Sequence, residues 1–178
     1  IRENRGDGAA GVDVKLGLTQ NLTADFTYNT DFAQVEVDEQ QINLTRFNLF
    51  FPEKREFFLE GRGIFEFASG AAIGGPGGFR DNDAPILFYS RRIGLMNNRV
   101  VPIIGGGRVT GKVGPFDVGA LSIQADEEQL SEAVGTNFTV ARIKRDILRK
   151  SSIGTIFTNR SVSTLGDGSS QTYGVDGT

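Results

Sequence analysis

The chain has 178 residues, of which 24 are glycine, and it contains no cysteine, histidine or tryptophan. Without Cys and His it cannot form a Ser-His-Asp triad, a thiol nucleophile, a Cys/His zinc site or a disulfide. Its 19 basic and 22 acidic residues give a net charge of −3, so bulk charge predicts no nucleic-acid partner.

The two ends of the sequence indicate an internal fragment of a longer protein. The chain begins at Ile1 without an initiator Met or a signal segment, and it stops in a strand-like stretch at residues 171–175. No apolar run approaches the ~18 residues of a membrane-spanning helix. Membrane-spanning β-strands remain open, because each needs only alternating polarity over ~10 residues.

Residues 12–28 carry the clearest secondary-structure pattern. Apolar and polar residues alternate in 12–18 (VDVKLGL) and in 22–28 (LTADFTY), on either side of a polar link at Gln20-Asn21. Alternation with a period of two around so short a link predicts a β-hairpin with one apolar and one polar face.

Residues 31–84 differ in composition from the rest of the chain. An acidic, amide-rich stretch (31–41) precedes an apolar, aromatic one (42–51), and residues 52–61 (PEKREFFLEG) combine charges with phenylalanine. A glycine-rich loop follows at 70–78. We expect this region to be partly irregular, and we expect a further strand at 85–93 (PILFYSRRI).

Further strands are predicted in the second half of the chain, where turn residues separate β-rich runs. These runs are 107–113 and 116–125 around Gly114-Pro115, and 137–147 and 152–162 around a polar link at 148–151, with another turn at 167–168.

The run that starts at residue 137 places charges on the same side as apolar residues. Arg142 and Lys144 share a parity with Val140, whereas Ala141 and Ile143 have the opposite parity. A soluble sandwich rarely places Arg and Lys on its core side, whereas a barrel with a wet, charged lumen tolerates them there. This pattern therefore favours a barrel.

Several segments resemble one bacterial family, in the family's order. The most specific is FFPEKREFFLEG at 50–61, which continues from DFAQVEVDEQQINLTRFNL at 31–49. The other matching segments are 11–22 (GVDVKLGLTQNL), 87–94 (LFYSRRIG), 104–112 (IGGGRVTGK), 138–146 (FTVARIKRD) and 152–160 (SIGTIFTNR). On these residues the chain resembles the bacterial domain of unknown function 5916, which usually follows a family 9-like carbohydrate-binding domain.

The resemblance implies the early part of an outer-membrane β-barrel of Gram-negative bacteria. The implied location is the bacterial outer membrane, with membrane lipid as a partner. Glycans would be contacted through the carbohydrate-binding domain upstream of this sequence. The family has no established reaction, so the resemblance supplies no catalytic residue and no cofactor. We expect a role in carbohydrate or nutrient handling at the cell surface, as a conduit or a scaffold.

Two motifs that could bind ligands lack features that such sites need. Residues 106–112 (GGRVTGK) have the spacing of a phosphate-binding loop, but Val113 replaces the Ser/Thr that would bind Mg²⁺, and no helix follows. We interpret them as a glycine-rich strand. Residues 81–83 (DND) lack the spaced acidic pattern and distal Glu of a Ca²⁺ loop, so we predict an ordinary turn and no metal site.

Charged residues are concentrated in 36–62 and at 91–92. Two of the carboxylates could form a glycosidase pair, which needs carboxyl groups roughly 5–10 Å apart across a sugar-sized cleft. We favour a structural ion-pair network in a charged lumen or plug. Its predicted members are Glu36, Asp38, Glu39, Arg46, Glu53, Lys54, Arg55, Glu56, Glu60, Arg62, Arg91 and Arg92.

A group of phenylalanines accompanies these charges. Phe lacks the polar handle that makes Tyr and Trp good membrane-interface residues, so we expect these rings to pack against the barrel wall or inside its mouth. The rings concerned are Phe47, Phe50, Phe51, Phe57 and Phe58.

We predict an all-β fold: an antiparallel hairpin meander that forms the N-terminal part of a transmembrane, outer-membrane-type β-barrel with a plug-like irregular segment. The chain would be one domain fragment, with a first hairpin at 10–30, an acidic and aromatic segment with the glycine-rich loop at 31–84, and further strands at 85–178. Two alternatives are a glycan hydrolase that uses carboxylates of residues 36–60 and a soluble β-sandwich carbohydrate-binding module.

Overall fold

The structure is a computed structural model that describes residues 11–29, 53–68, 85–97, 99–129, 131–149, 151–163 and 168–177. Nine β-strands lie within these ranges: β1 (Val12–Thr19), β2 (Leu22–Tyr28), β3 (Leu95–Met96), β4 (Arg99–Val100), β5 (Ile103–Val113), β6 (Phe116–Ala125), β7 (Thr136–Leu148), β8 (Ser151–Arg160) and β9 (Ser170–Gly177). The prediction of an all-β fold is therefore confirmed.

In the described part of the chain, helical structure is short and occurs in two places. Helix α1 (Glu56–Leu59) is followed by a 3₁₀ turn (Arg62–Ile64), and a second 3₁₀ turn (Ser90–Arg92) precedes β3. Within the described ranges, no helix is both long and apolar enough to cross a membrane.

Seven strands form one antiparallel sheet in the order β1-β2-β5-β6-β7-β8-β9, and β3 and β4 pair separately. Within this sheet each strand pairs with the next one along the chain, except that β2 pairs with β5. The sheet is therefore a meander with one long excursion, by which we mean the residues between β2 and β5. Among the described strands, β1 and β9 lie at the two edges of the sheet and do not pair with each other.

The predicted hairpins are confirmed, with small changes at their ends. β1 pairs with β2, β5 with β6, and β7 with β8. β5 begins four residues earlier than the predicted 107–113, and the strand-like stretch at 171–175 is the central part of β9. Alternation and tight polar links were sufficient signals because both are local in sequence.

The prediction of a strand at 85–93 is wrong. These residues run outside the ladders as far as Tyr89 and then enter the 3₁₀ turn. Arg55 donates hydrogen bonds to the carbonyl oxygens of Ser90 (2.8 Å) and Ile93 (2.7 Å). A side chain therefore satisfies carbonyls that a neighbouring strand would otherwise bond.

The two faces of the sheet differ sharply in exposure, since alternate residues of a strand point to opposite sides. On the outward face, Leu16 and Ile143 are 48% and 51% exposed. On the covered face, Val140 and Arg142 are each 2% exposed. The predicted division of β7, with Arg142 beside Val140 and opposite Ile143, is confirmed.

The apolar core lies between the covered face and the residues of the excursion. Residues 53–68, which we call the covering segment, contribute Phe58 and Phe65, and Ile93 comes from the turn before β3. The sheet contributes Ile103, Leu121, Ile123, Val140 and Ile156. The irregular part of the chain thus supplies three of the eight buried residues of this core, and the sheet supplies the other five.

The outward face carries rows of residues that are aligned across the strands by hydrogen-bonding register. One row is apolar from β1 to β9: Leu16, Ala24, Val109, Ala120, Ala141, Phe157 and Tyr173. The next row is apolar on β1 and β2 but polar from β6 to β9: Val14, Phe26, Gly107, Ser122, Thr139, Asn159 and Gln171.

On the other side of the apolar row, the outward face is apolar mainly on the later strands of the sheet. Apolar side chains extend in that direction on the later strands, where Phe116, Ile147 and Ile153 are 37%, 52% and 47% exposed, and the exposed Arg145 lies between Phe116 and Ile153 in the register. On β1 and β2, exposed Val12 and Tyr28 lie beyond Val14 and Phe26 in the opposite direction. The outward face therefore carries an oblique apolar band, which crosses the strands at an angle to the register rows.

Candidate functional site

On the covered face, three clusters of ion pairs link the described strands to one another and to the covering segment. The first is centred on Arg108 of β5, which is 3% exposed. Its guanidinium donates to Asp25 Oδ2 on β2 (3.2 Å from Nε) and to Glu60 Oε2 in the covering segment (3.1 Å from Nη2). It also donates to the main-chain carbonyls of Phe57 and Glu60. Arg108 thus joins two strands to the segment above them.

Glu60 extends this cluster to the edge of the sheet. Lys15 of β1 forms an ion pair with the Glu60 carboxylate, whose side chain is about half exposed. The hydrogen bond from Lys15, together with the positive charges of Lys15 and Arg108, lowers the pKa of Glu60 below its ordinary value. Glu60 is therefore an ionised partner of two cations.

The second cluster lies within the covering segment, where Glu53 and Arg55 are each 7% exposed. Arg55 donates from Nε and Nη2 to the two carboxylate oxygens of Glu53, both at 2.8 Å. Ser90 Oγ adds a hydrogen bond to Glu53 Oε2 at 2.7 Å. Burial raises the pKa of Glu53, but the bonds from Arg55 and Ser90 outweigh it and the net pKa lies below the ordinary value.

The third cluster joins the last strands of the sheet. Arg142 of β7 donates from its two terminal nitrogens to both carboxylate oxygens of Asp176 on β9, at 2.6 and 2.7 Å. It crosses β8 above Gly154, where an added Cβ would lie 3.1 Å from the guanidinium. Asp176 also accepts the Ala68 N–H at 2.8 Å, so this pair holds the end of the covering segment.

A cavity of about 680 Å³ lies beside these clusters, between residues 86–96 and the covered ends of β7, β8 and β9. Arg92 and Arg160 both line it, together with Phe138 and the strand residues Thr158 and Thr172. Within the described ranges, no group of three or more acidic side chains is placed to hold a metal ion.

The structure brings together some of the predicted network residues and separates others. Glu53 pairs with Arg55, and Glu60 pairs with two residues that were not predicted. Lys54 and Glu56 are exposed, Arg62 lies 3.9 Å from Glu66, Arg91 is buried and Arg92 faces the cavity. Glu36, Asp38, Glu39 and Arg46 lie outside the described residues, as do residues 81–83.

The predicted aromatic group is divided in the same way. Phe58 is buried in the core and Phe57 packs against it, with ring centroids 5.2 Å apart in an edge-to-face arrangement. Arg55 lies over the Phe58 ring at 4.2 Å, so the ring covers a buried cation. Phe47, Phe50 and Phe51 lie outside the described residues.

Sequence reasoning missed six charged residues of the covered face that were not among the predicted site residues: Lys15, Asp25, Arg108, Arg142, Arg160 and Asp176. The sequence feature that could have identified them is their position in the alternating pattern of their strands. Each occupies a covered-face position in a strand whose alternate residues point outward. A charged side chain at a covered-face position needs a partner of opposite charge. The partners of Arg108 and Arg142 lie on other strands, so they can be identified only when the pairing and register of the strands are known.

The glycine-rich motif at 106–112 lies in β5, as a strand and without a following helix. The interpretation as a glycine-rich strand is therefore confirmed. Lys112 forms an ion pair with Asp117 across the β5–β6 hairpin at 3.2 Å.

Comparison with known families identifies the chain. Residues 2–102 match the family described as Domain of unknown function (DUF5916). The chain belongs to this family. No curated protein and no solved structure matches it.

Proposed function

We propose that this chain forms part of the wall of an outer-membrane-type transmembrane β-barrel that serves as a conduit or scaffold at the bacterial cell surface. The observation that carries the proposal is the oblique apolar band on the outward face. Its side chains are widely exposed: Val175 and Tyr173 of β9 are 69% and 72% exposed, and Val12 of β1 is 60% exposed.

An exposed apolar surface of this extent needs an apolar environment. Soluble monomers rarely expose contiguous apolar patches larger than a few hundred Å². The apolar row continues across seven strands, from Leu16 to Tyr173, and so extends over the full width of the sheet, with Ala24 as a buried member at 1% exposure. In the proposed barrel, lipid hydrocarbon covers this band.

The angle of the band also supports a barrel. Strands of transmembrane barrels tilt by about 35–45° from the membrane normal, so a band of constant height crosses the register rows obliquely. The band shifts from Val12 and Val14 on β1 towards Ile147 and Ile153 on β7 and β8. Strands β5 to β8 have 10–13 residues, close to the ~9–11 needed to cross a bilayer.

The covered face fits the interior of such a barrel. It carries buried ion pairs, such as Arg108 with Asp25 and Arg142 with Asp176, which a lipid-facing surface would not accommodate. The covering segment lies against this face as an inward-folded plug would. Closure of the barrel would pair the edge strands β1 and β9 with further strands. Such pairing is needed in lipid, because unpaired backbone N–H and C=O groups cost free energy in hydrocarbon.

We extend the proposal to carbohydrate or nutrient handling through the carbohydrate-binding domain that usually precedes this family, with glycans reached by that domain. The hydrolase alternative draws no support from the carboxylates of the covering segment. Glu53 and Glu60 are held in ion pairs, and Glu56 is exposed on α1.

Membrane fractionation of the full-length protein tests the proposal. We expect the protein in the outer-membrane fraction after a urea wash, because its outward face contacts lipid rather than another protein's surface. Unheated samples should migrate faster in detergent gels than boiled ones, since a closed barrel resists unfolding. Recovery in the soluble fraction without detergent, or release by urea, would contradict the proposal and favour a soluble sandwich.

A further inference from the structure

The cavity beside β8 differs from the rest of the covered face in its charge balance. Arg55, Arg108 and Arg142 each contact a carboxylate within 2.8 Å. Arg92 and Arg160 line the cavity, and in the part of the chain that the structure describes neither contacts a carboxylate. The cavity therefore has two positive charges and no negative one among its described lining residues.

Arg92 and Arg160 line the same cavity, so two like charges share one space. Arg160 lies over the ring of Phe138, with its guanidinium carbon 5.5 Å from the ring centroid. Its Nε is buried and has no hydrogen-bond partner within the described residues. A buried donor next to a second cation costs free energy unless an acceptor is supplied.

Hydroxyl-bearing residues lie next to Arg160 in the register of β8 and β9. Register places Arg160 opposite Ser170 and Thr158 opposite Thr172, all on the covered face. These three hydroxyl-bearing residues also line the cavity. Hydroxyl donors next to two guanidinium groups are the usual partners of phosphate, sulfate and carboxylate oxygens.

Apolar and aromatic side chains form much of the remaining wall of the cavity, together with the polar residues Tyr89, Thr136, Thr139 and Asn159. Phe138, Phe88 and Met96 are half-buried there, beside the core of the molecule. The cavity volume lies within the range of about 300–1,000 Å³ that is typical of small-molecule sites. An inorganic ion alone would leave these walls in contact with water.

We propose that this cavity binds a small organic anion, with its phosphate, sulfate or carboxylate group between Arg92 and Arg160 and its apolar body against Phe138. The site lies on the covered face and does not depend on what covers the outward face. If the protein fractionates as soluble, the same titration is done without detergent, so that the two proposals fail separately.

Calorimetric titration of the purified full-length protein at low salt tests the site, with phenyl phosphate, inorganic phosphate and phenol as probes. We expect phenyl phosphate to bind with a dissociation constant of about 1 mM or lower. Inorganic phosphate should bind more weakly and phenol should not bind. Arg92→Gln and Arg160→Gln should each weaken phenyl phosphate binding by about tenfold or more, because each removes a charge-assisted hydrogen bond.

Arg149→Gln is the matched control, because Arg149 is exposed in the turn between β7 and β8, at the end of β8 away from Arg160, and it does not line the cavity. It should leave the affinity unchanged. Arg92 is exposed at the mouth of the cavity, so Arg92→Gln carries the test if Arg160→Gln does not fold. Absence of binding by both phosphates, equal affinity in the wild-type protein and the Arg92→Gln variant, or phenol binding as tightly as phenyl phosphate would overturn the proposal.

Discussion

Arg108 illustrates how a buried charge on a strand is completed by a non-strand element. Asp25 on the neighbouring strand accepts two of its hydrogen bonds and neutralises its charge. The carbonyls of Phe57 and Glu60, at the C-terminal end of α1, accept others. Helix ends leave carbonyls without intrahelical partners, so the helix and the arginine satisfy each other. The arginine thereby fixes the position of the covering segment on the sheet.

Glu53 and Arg55 make the stability of the covering segment depend on pH. The pKa of Glu53 in the folded protein is lower than its ordinary value of 4.5, which applies to the unfolded chain. A lowered folded pKa adds stability that is complete above the unfolded value and is lost as the pH falls through the folded value. The segment should therefore weaken in acid.

We predict that Glu53→Gln lowers the free energy of unfolding by about 3 kcal/mol at pH 7, because Arg55 is left buried without its carboxylate. The difference from the wild-type protein should be constant between pH 5 and pH 7 and should shrink below about pH 4.5. Denaturant unfolding at each pH measures it. Glu56→Gln, on an exposed neighbour, should change the free energy by less than about 0.5 kcal/mol. A difference that persists unchanged in acid would contradict the assignment.

How far the sequence predicts the structure depends on the range of each interaction. The strands β1 and β2 were predictable because their alternation and their turn lie within 17 residues, at 12–28. The partner of Arg108 was not, because Asp25 lies 83 positions away and only the β2–β5 pairing brings them together. Glu53 and Arg55 are neighbours in sequence, yet their shared burial depends on the sheet.

At the scale of elements, small residues of the sheet create room for the covering segment. Gly119 of β6 lies on the covered face beneath the 3₁₀ turn that follows α1. A Cβ at this position would lie 2.7 Å from Ile64 and 3.0 Å from the Phe65 ring. The close approach of the segment to the sheet therefore requires glycine there, and it explains one part of the high glycine content.

We predict that Gly119→Val displaces the covering segment and lowers the free energy of unfolding by about 1–3 kcal/mol through overpacking. Limited trypsin digestion should cut faster at Lys54 and Arg62, which lie in the segment. Ala120→Val changes the next residue, which is exposed on the outward face, and should leave the digestion rate unchanged. Equal digestion of the Gly119→Val variant and the wild-type protein would show that the segment is not held at this position.

The error at 85–93 has a cause at the same scale. Apolar residues such as Leu87 and Phe88, bounded by Pro and Gly, fit a buried strand as well as a packed irregular segment. The deciding interaction is the pair of hydrogen bonds from Arg55 to the carbonyls of Ser90 and Ile93. Such a side-chain contact leaves no periodic signal in the sequence.

At the scale of the whole molecule, the apolar band and the register rows cross the strands in different directions. Two residues of one register row can therefore lie at different positions relative to the band. Val14 and Thr139 belong to the same register row, on β1 and β7. If the band marks the hydrocarbon layer, Val14 lies within it and Thr139 lies beyond its edge. The two residues have similar size, so they form a matched pair.

We predict that Val14→Lys costs about 2–4 kcal/mol of folding free energy in lipid vesicles, as expected for Lys near the bilayer midplane. Thr139→Lys should cost about 0–1 kcal/mol, because the charge would lie near the interface. Denaturant unfolding in vesicles of one lipid composition measures both. Equal costs would mean that the membrane, if present, runs parallel to the register rows, and the tilt inferred from the band would be wrong.

The hydrogen bond from Ala68 to Asp176 joins residues that are 108 positions apart in the sequence, because its donor lies in the covering segment and its acceptor on β9. Arg142 contacts the same carboxylate. A contact of this range has a loop-closure entropy cost that grows with the length of the loop. The covering segment therefore raises the contact order of the molecule, and a high contact order is associated with slow folding.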